Sequence, residues 1–279
     1  MPYHPEALIM ELEKTARELR KESLKMISRR QAGHPGGSLS AADIMAALYF
    51  HHLQIDPARP DWPERDFFIL SKGHASALLY AALAKRGYFP PQDLENWGQL
   101  DCHLQGHPDR LKTPGVDMNS GILGHGIAIG AGIAYASQKQ KRRNRVYVLI
   151  GDGESQAGII WEGAMTAAKF RLSNLTVILD YNDVQLDGAV HDIMPLESLA
   201  DKWRAFNWAV LEINGHDMDQ VLEALDAVKE IHHQPSVIIA HTTKGKGVSF
   251  MENESAWHGN APTPAQLDLA LSELDQMEV

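Results

Sequence analysis

Five short runs of almost uninterrupted apolar residues, at 67–70, 146–150, 175–180, 209–213 and 236–240, recur along the chain with longer segments between them. A strand that is apolar on both faces cannot lie against water, so a sheet built from these runs must be covered on both sides. The intervening segments at 6–31, 40–50, 75–86, 124–139, 158–170, 196–205, 218–231 and 264–277 carry helical spacing or small-residue packing patterns. Strands alternating with helices imply parallel pairing. The fold class is therefore α/β, a parallel β-sheet with helices on both faces, expected to occupy residues 1–279 as a single domain.

Composition narrows what such a domain can do. No stretch of about 18 uncharged apolar residues is present, and a net charge of −10 disfavours attraction to nucleic acid or anionic lipid. Residues 1–19 contain several acidic groups and lack both a basic leader and a continuous apolar core, so a signal peptide is not expected and the protein reads as cytoplasmic. The lone cysteine, Cys102, has no internal disulfide partner and reads as a packing residue. The basic run at 139–145 falls where a helix should end, where cations complement the helix dipole and stay solvated.

The unusual residues gather at strand ends, where open α/β sheets bind ligands. The run at 146–150 leads into Gly151-Asp152-Gly153, and the run at 175–180 leads into Asn182, with 28 residues between Gly153 and Asn182. That separation is a helix plus two turns, so the Asp152 carboxylate and the Asn182 amide should emerge side by side. Two hard oxygen ligands at one sheet edge suit Mg²⁺ or Ca²⁺. The flanking glycines let backbone approach a bulky anion, and a helix starting near Gly158 should aim its positive end there. An aspartate between glycines is commonly only a turn; Asn182 at this spacing favours a metal-bridged diphosphate. Two further stretches break the regular pattern. Gly33-His34-Pro35-Gly36-Gly37 reads as a loop closing the first helix, and 90–123 is a long Pro-, Gly- and His-rich span of the kind that carries function.

These segments resemble the thiamine-diphosphate enzymes, and transketolase in particular. The resemblance rests on the GDG and Asn182, and on Gly33-His34-Pro35-Gly36, Ser71-Lys72-Gly73-His74, Gln105-Gly106-His107-Pro108, Ser120 to Gly124, Lys244 to Gly247 and Trp257-His258-Gly259, all in transketolase order. It implies thiamine diphosphate and Mg²⁺, with Ca²⁺ or Mn²⁺ as substitutes, and a metal held by Asp152, Asn182 and the Val184 carbonyl. It further implies that His74, Gly151, Gly153 and Glu154 contact the cofactor and that Gly121 and Leu123 lie against its aminopyrimidine. His34, His107 and His258 would face the reacting centre as catalytic groups, a role that suits imidazoles because they titrate near neutrality. The implied reaction moves a two-carbon ketol unit from a ketose, or ketose phosphate, to an aldose.

Full transketolases are far longer, and the glutamate that activates the aminopyrimidine lies in their second domain. The resemblance is therefore to the N-terminal subunit of a split transketolase, whose partner is a C-terminal, pyrimidine-domain subunit carrying that glutamate, in an α₂β₂ assembly. The helices at 124–139 and 158–170 are candidates for subunit contacts. Where relatives carry a glutamate linking two active sites, this chain has Ala157; Glu154, three residues earlier, should point elsewhere. Rival readings are a subunit of a 2-oxo-acid dehydrogenase or a deoxyxylulose-phosphate synthase, or a non-catalytic regulatory relative. His51, His52, His232 and His233 read as surface residues, and no role is assigned to His103 or His125, where relatives carry glutamine at 125.

Overall fold

The five apolar runs pair into one parallel sheet in a computed structural model that describes residues 3–277; residues 1–2 and 278–279, the ends of the domain expected over 1–279, lie outside the described residues. The strands are β1 (Phe67–Leu70), β2 (Val146–Gly151), β3 (Leu175–Tyr181), β4 (Ala209–Asn214) and β5 (Ser236–His241), in the spatial order β1-β2-β3-β5-β4. Each lies within one residue of its expected bounds. The helices, in chain order, are α1 (Glu6–Arg30), α2 (Pro35–Ser40), α3 (Ala42–Ala47), α4 (Ser76–Arg86), α5 (His125–Lys139), α6 (Gly158–Lys169), α7 (Val190–Ile193), α8 (Leu199–Ala205), α9 (Met218–Ala227) and α10 (Pro264–Gln276).

Alternation along each strand divides the interior into two cores. Phe68, Leu70, Tyr147, Leu149, Ile178 and Ile238 pack with α1, α3, α4 and α9. Ile69, Val148, Ile150, Val177, Leu179 and Ile239 pack with α5, α6 and α8. Both faces are thus covered, which is why the central runs are apolar throughout. The edge strand β4 is only partly buried and carries Glu212 and Asn214 outward.

Three sequence readings are corrected. The Gly33 to Gly37 stretch is not all loop, because Pro35 starts α2: in a first helical turn its missing N–H has no bond to lose and its fixed φ is already helical. The helix expected from 40 to about 50 ends in a π-helical turn, Leu48–His52, and His52 is buried rather than exposed. Its Nε2 lies 2.8 Å from the Tyr147 hydroxyl, and burial holds the imidazole down to about 3, so it stays neutral. Arg145, at the end of the basic run, donates to the carbonyls of Val228 (3.3 Å) and Lys229 (2.7 Å), closing the turn after α9 instead of standing in solvent. Cys102 is half-buried against the first core, as a packing residue would be. His103 faces Asp93 at 3.0 Å.

One buried ion pair ties α1 to α3. Arg20 donates to both Asp43 oxygens, at 3.0 and 2.5 Å, and to the Leu39 carbonyl at 3.1 Å. Burial pushes the Asp43 carboxyl up, but the Arg20 guanidinium and His216 outweigh it and hold it down to about 2, against an ordinary 3.8. A depressed carboxyl adds stability that is complete above the unfolded value and is lost as pH falls through the folded one. We therefore expect about 2 kcal/mol of stability to disappear between roughly pH 4 and pH 2. Thermal melts of Asp43→Asn should show a weaker dependence on pH in that window than the parent chain.

Candidate active site

The carboxyl ends of β2 and β3 meet where the sequence motifs fall. Gly151 stands opposite Asp180 in the sheet register, so the residues that follow each strand emerge as neighbours. The Asp152 carboxylate is buried and accepts three backbone N–H bonds, from Gly153 (2.6 Å), Asn182 (3.0 Å) and Asp183 (2.6 Å). Asp152 and Asn182 therefore lie side by side. Despite those donors, burial and then the nearby Asp180 charge raise the Asp152 carboxyl to about 6. A carboxylate so placed is short of positive charge. The Val184 carbonyl already has a cationic partner, the Lys244 ammonium at 2.8 Å, which also reaches the Gln185 carbonyl at 3.4 Å. Carboxylate, amide and carbonyl oxygens thus line one cleft of about 230 Å³, together with the buried Lys244 cation. That donor set fits a hard divalent ion.

The same cleft is lined by further buried charges. Asp180, fully buried at the end of β3, accepts from Lys72 Nζ (2.6 Å), Ser40 (2.6 Å), Thr242 (2.5 Å) and Asn182 (3.1 Å). Burial would raise its carboxyl, yet Lys72 dominates and holds it below the usual range. Glu154 is also buried, and its carboxylate accepts from the Ser71 hydroxyl and from the backbone N–H groups of Gly124 (2.7 Å) and Gly151 (3.1 Å). It borders the cleft, but its oxygens are spent bracing β1, β2 and the start of α5 together. Gly124 has φ +86°, and a side chain there would run into Ile159 and approach Ala157, so only glycine lets α5 begin this close to α6. The helix expected near Gly158 begins there, but Gly158 does not line the cleft, whereas residues of the 3₁₀ turn Gly153–Gln156 do.

Two imidazoles, His74 and His258, line the same cleft, and His34 packs against both. The rings of His34, His74 and His258 make a triangle with centroids 5.0, 5.2 and 5.5 Å apart. Burial and then nearby positive groups lower all three, His258 to about 4. At neutral pH each is uncharged, with one nitrogen to donate and one to accept. The Lys244 ammonium lies 2.9 Å from His258 Nδ1 and can only donate, which leaves the His258 hydrogen on Nε2. His107 is exposed beside Gly121, its ring in contact range of a side chain placed there. Leu123 lines the cleft and Gly121 does not. His125 is half-exposed at the start of α5, with Nδ1 3.4 Å from the Leu123 carbonyl.

Three functional groups escaped the sequence reading: Lys72, Lys244 and Asp180. Each follows or ends a strand, and Lys72 and Lys244 are buried. Two lysines and an aspartate at strand termini were the only signal, because lysine is almost never fully buried without a partner.

A family model described as the transketolase thiamine diphosphate binding domain matches residues 12–274. The chain is 44% identical, over 96% of its length and 97% of the relative's, to a 6-deoxy-6-sulfo-D-fructose transketolase subunit of a Clostridium species. It is 42% identical, over 95% of its length and 96% of the relative's, to an apulose-4-phosphate transketolase subunit of Actinobacillus succinogenes. Among solved structures, transketolase from Campylobacter jejuni superposes with a TM-score of 0.89 at 33% identity, covering 98% of this chain but only 43% of that one. The oxygen-lined strand ends, the cluster of imidazoles and these likenesses agree: the chain belongs to the transketolase family and carries its thiamine diphosphate-binding domain.

Proposed function

We propose that this chain is the cofactor-holding subunit of a two-subunit transketolase that moves a two-carbon ketol unit from an anionic ketose to an aldose. The observation that carries the reading is the juxtaposition of Asp152, Asn182 and the Val184 carbonyl with the triangle of neutral imidazoles. Asp152, Asn182 and Val184 would hold Mg²⁺. His74, Gly151, Gly153 and Lys244 would face the diphosphate, with Glu154 bracing them from below, and the backbone at Gly121 and Leu123 would meet the aminopyrimidine. When bound, thiamine diphosphate supplies the carbanion chemistry of carbon–carbon cleavage.

This chain's own groups then position hydroxyls and move protons. A neutral imidazole can take a proton from a sugar hydroxyl and return it to the opposite oxygen. His258, with its hydrogen fixed on Nε2, is set to donate from that atom, and His34 lies edge-on to it within reach of the same substrate. His107, at the exposed rim, is placed to meet the sugar as it arrives.

The chain spans 40–44% of the full-length transketolases whose structures it matches, and the relatives that it covers almost end to end are named as subunits, which supports a separate partner for the remaining functions, in an α₂β₂ arrangement. Large apolar side chains near the cleft support the same reading: Ile122, Leu186, Ile193 and Met194 are 71%, 60%, 44% and 56% exposed. The relatives are named for a sulfonated and a phosphorylated sugar, so a ketose with a terminal anion is the substrate class. Among the described residues no helix is long and apolar enough to cross a membrane, and the proposed place of action is the cytoplasm. Residues 1–279 would form one diphosphate-binding domain.

Calorimetric titration with thiamine diphosphate should show binding that requires Mg²⁺ and vanishes with a chelator, and ketol transfer should appear only when the pyrimidine-domain partner is added. No binding with metal and partner both present would overturn the reading. Ala157 adjoins the start of α5, where relatives' glutamate would stand. Ala157→Glu is expected to change the cooperativity of cofactor binding in the assembled enzyme; superimposable binding curves count against that role.

A further inference from the structure

Beyond β5, residues 242–245 reach the cleft through Lys244, and several of their polar groups bond to residues at or beside it. Thr242 Oγ1 donates to Asp180 (2.5 Å), Lys244 Nζ donates to the Val184 carbonyl (2.8 Å), and the Gly245 N–H donates to the Gly36 carbonyl (3.1 Å). Thr243 differs. Its N–H donates to His216 Nε2 at 2.8 Å, and His216 follows the end of β4 without lining the cleft. The other ring nitrogen, Nδ1, lies 2.7 Å from Asp43 Oδ2. Asp43 is itself gripped through both oxygens by Arg20, and both residues are buried, at 6% and 2% exposed.

The chemistry of this chain of contacts is directional. An ionised carboxylate only accepts, so His216 must carry its hydrogen on Nδ1, and Nε2 is left as a bare acceptor for the Thr243 N–H. Without the carboxylate the imidazole is free to take the other tautomer, which would set a hydrogen against a hydrogen. We propose that Arg20, Asp43 and His216 are positioning residues: a buried relay that fixes one imidazole tautomer so that it clamps the main chain at Thr243 and sets Lys244 in the cleft. The proposal rests on the reading that Lys244 faces the cofactor. None of the three residues lines that cleft; they border a separate, smaller cavity with Glu13, Arg17 and Lys246.

The test uses the full chain. Amide hydrogen exchange is followed without ligand, and thiamine diphosphate is titrated calorimetrically with Mg²⁺, for the parent, His216→Leu and His216→Gln. Leucine fills similar space with no acceptor, whereas glutamine restores a carbonyl oxygen. In His216→Leu, exchange at Thr243 to Gly245 should quicken about tenfold while β5 stays protected, and the cofactor Kd should rise about tenfold. His216→Gln should recover most of both. Unchanged exchange in His216→Leu, or equal losses in the two variants, would overturn the clamp. If His216→Leu does not fold, Asp43→Asn frees the tautomer at constant size, and unchanged exchange at Thr243 in that variant is the overturning result. Should the parent bind no thiamine diphosphate even with Mg²⁺ and the pyrimidine-domain partner present, the functional reading fails, while exchange still decides the clamp.

Discussion

Asp152→Asn is expected to weaken thiamine diphosphate binding in the presence of Mg²⁺ by about 100-fold or more, while the ligand-free chain melts no lower than the parent. The two effects have one cause. The site buries the carboxylate at the floor of the cleft, where Asp180 adds a second negative charge, so the group is raised to about 6. A raised carboxyl favours the folded state at acid pH, and that advantage is lost as pH rises through the folded value. Above pH 6 the ionised Asp152 therefore costs the ligand-free chain about 3 kcal/mol. Asparagine removes that cost and forfeits one of three backbone hydrogen bonds, worth about 1 kcal/mol. Calorimetry paired with thermal melts at pH 8 checks both halves. Normal affinity would remove Asp152 from the metal site; a melt many degrees lower would mean that its backbone bonds outweigh its burial.

Lys72→Met should produce the largest loss of stability. Lys72 and Asp180 are 2% and 0% exposed and lie 2.6 Å apart, and Lys72 also donates to the Gly37 carbonyl at 2.8 Å. Removing the cation leaves a buried carboxylate with three neutral donors, from Ser40, Thr242 and Asn182. Stranding one member of a buried pair typically costs about 3–5 kcal/mol, or roughly 10 °C in melting temperature for a chain of this size. The double variant Lys72→Met/Asp180→Asn should regain a large part of that loss, since no charge is left unpaired. A double-mutant cycle with no coupling would show that Asp180 is not ionised in the fold.

Much of this architecture was legible in the sequence because burial on both faces forces a strand to be apolar throughout. That is why all five strands fell within a residue of their expected places. Asp152 and Asn182 could be paired from spacing alone, since consecutive parallel strands two turns and a helix apart are usually neighbours. The position of β4 outside β5 was not legible, because the order of the last two strands depends on how crossovers pack. Nor was α2, where a glycine-proline-glycine stretch looks like a breaker until the proline is seen to occupy the first helical position. The π-helical turn that carries His52 inward shifts the helix phase by a fraction of a turn, which periodicity does not register. Lys72, Lys244 and Asp180 escaped for a different reason. A charged residue at a strand end looks solvated until its partner, more than a hundred residues away for Lys72, closes over it.

The grip of Lys244 on the Val184 carbonyl keeps a positive charge on the very oxygen that the proposed reading assigns to a divalent ion. Were the Val184 carbonyl to hold an ion as proposed, the Lys244 ammonium would have to give up that oxygen, so that one positive charge would take the place of another. Uptake should accordingly be a two-step process, its speed governed by how readily a lysine lets go.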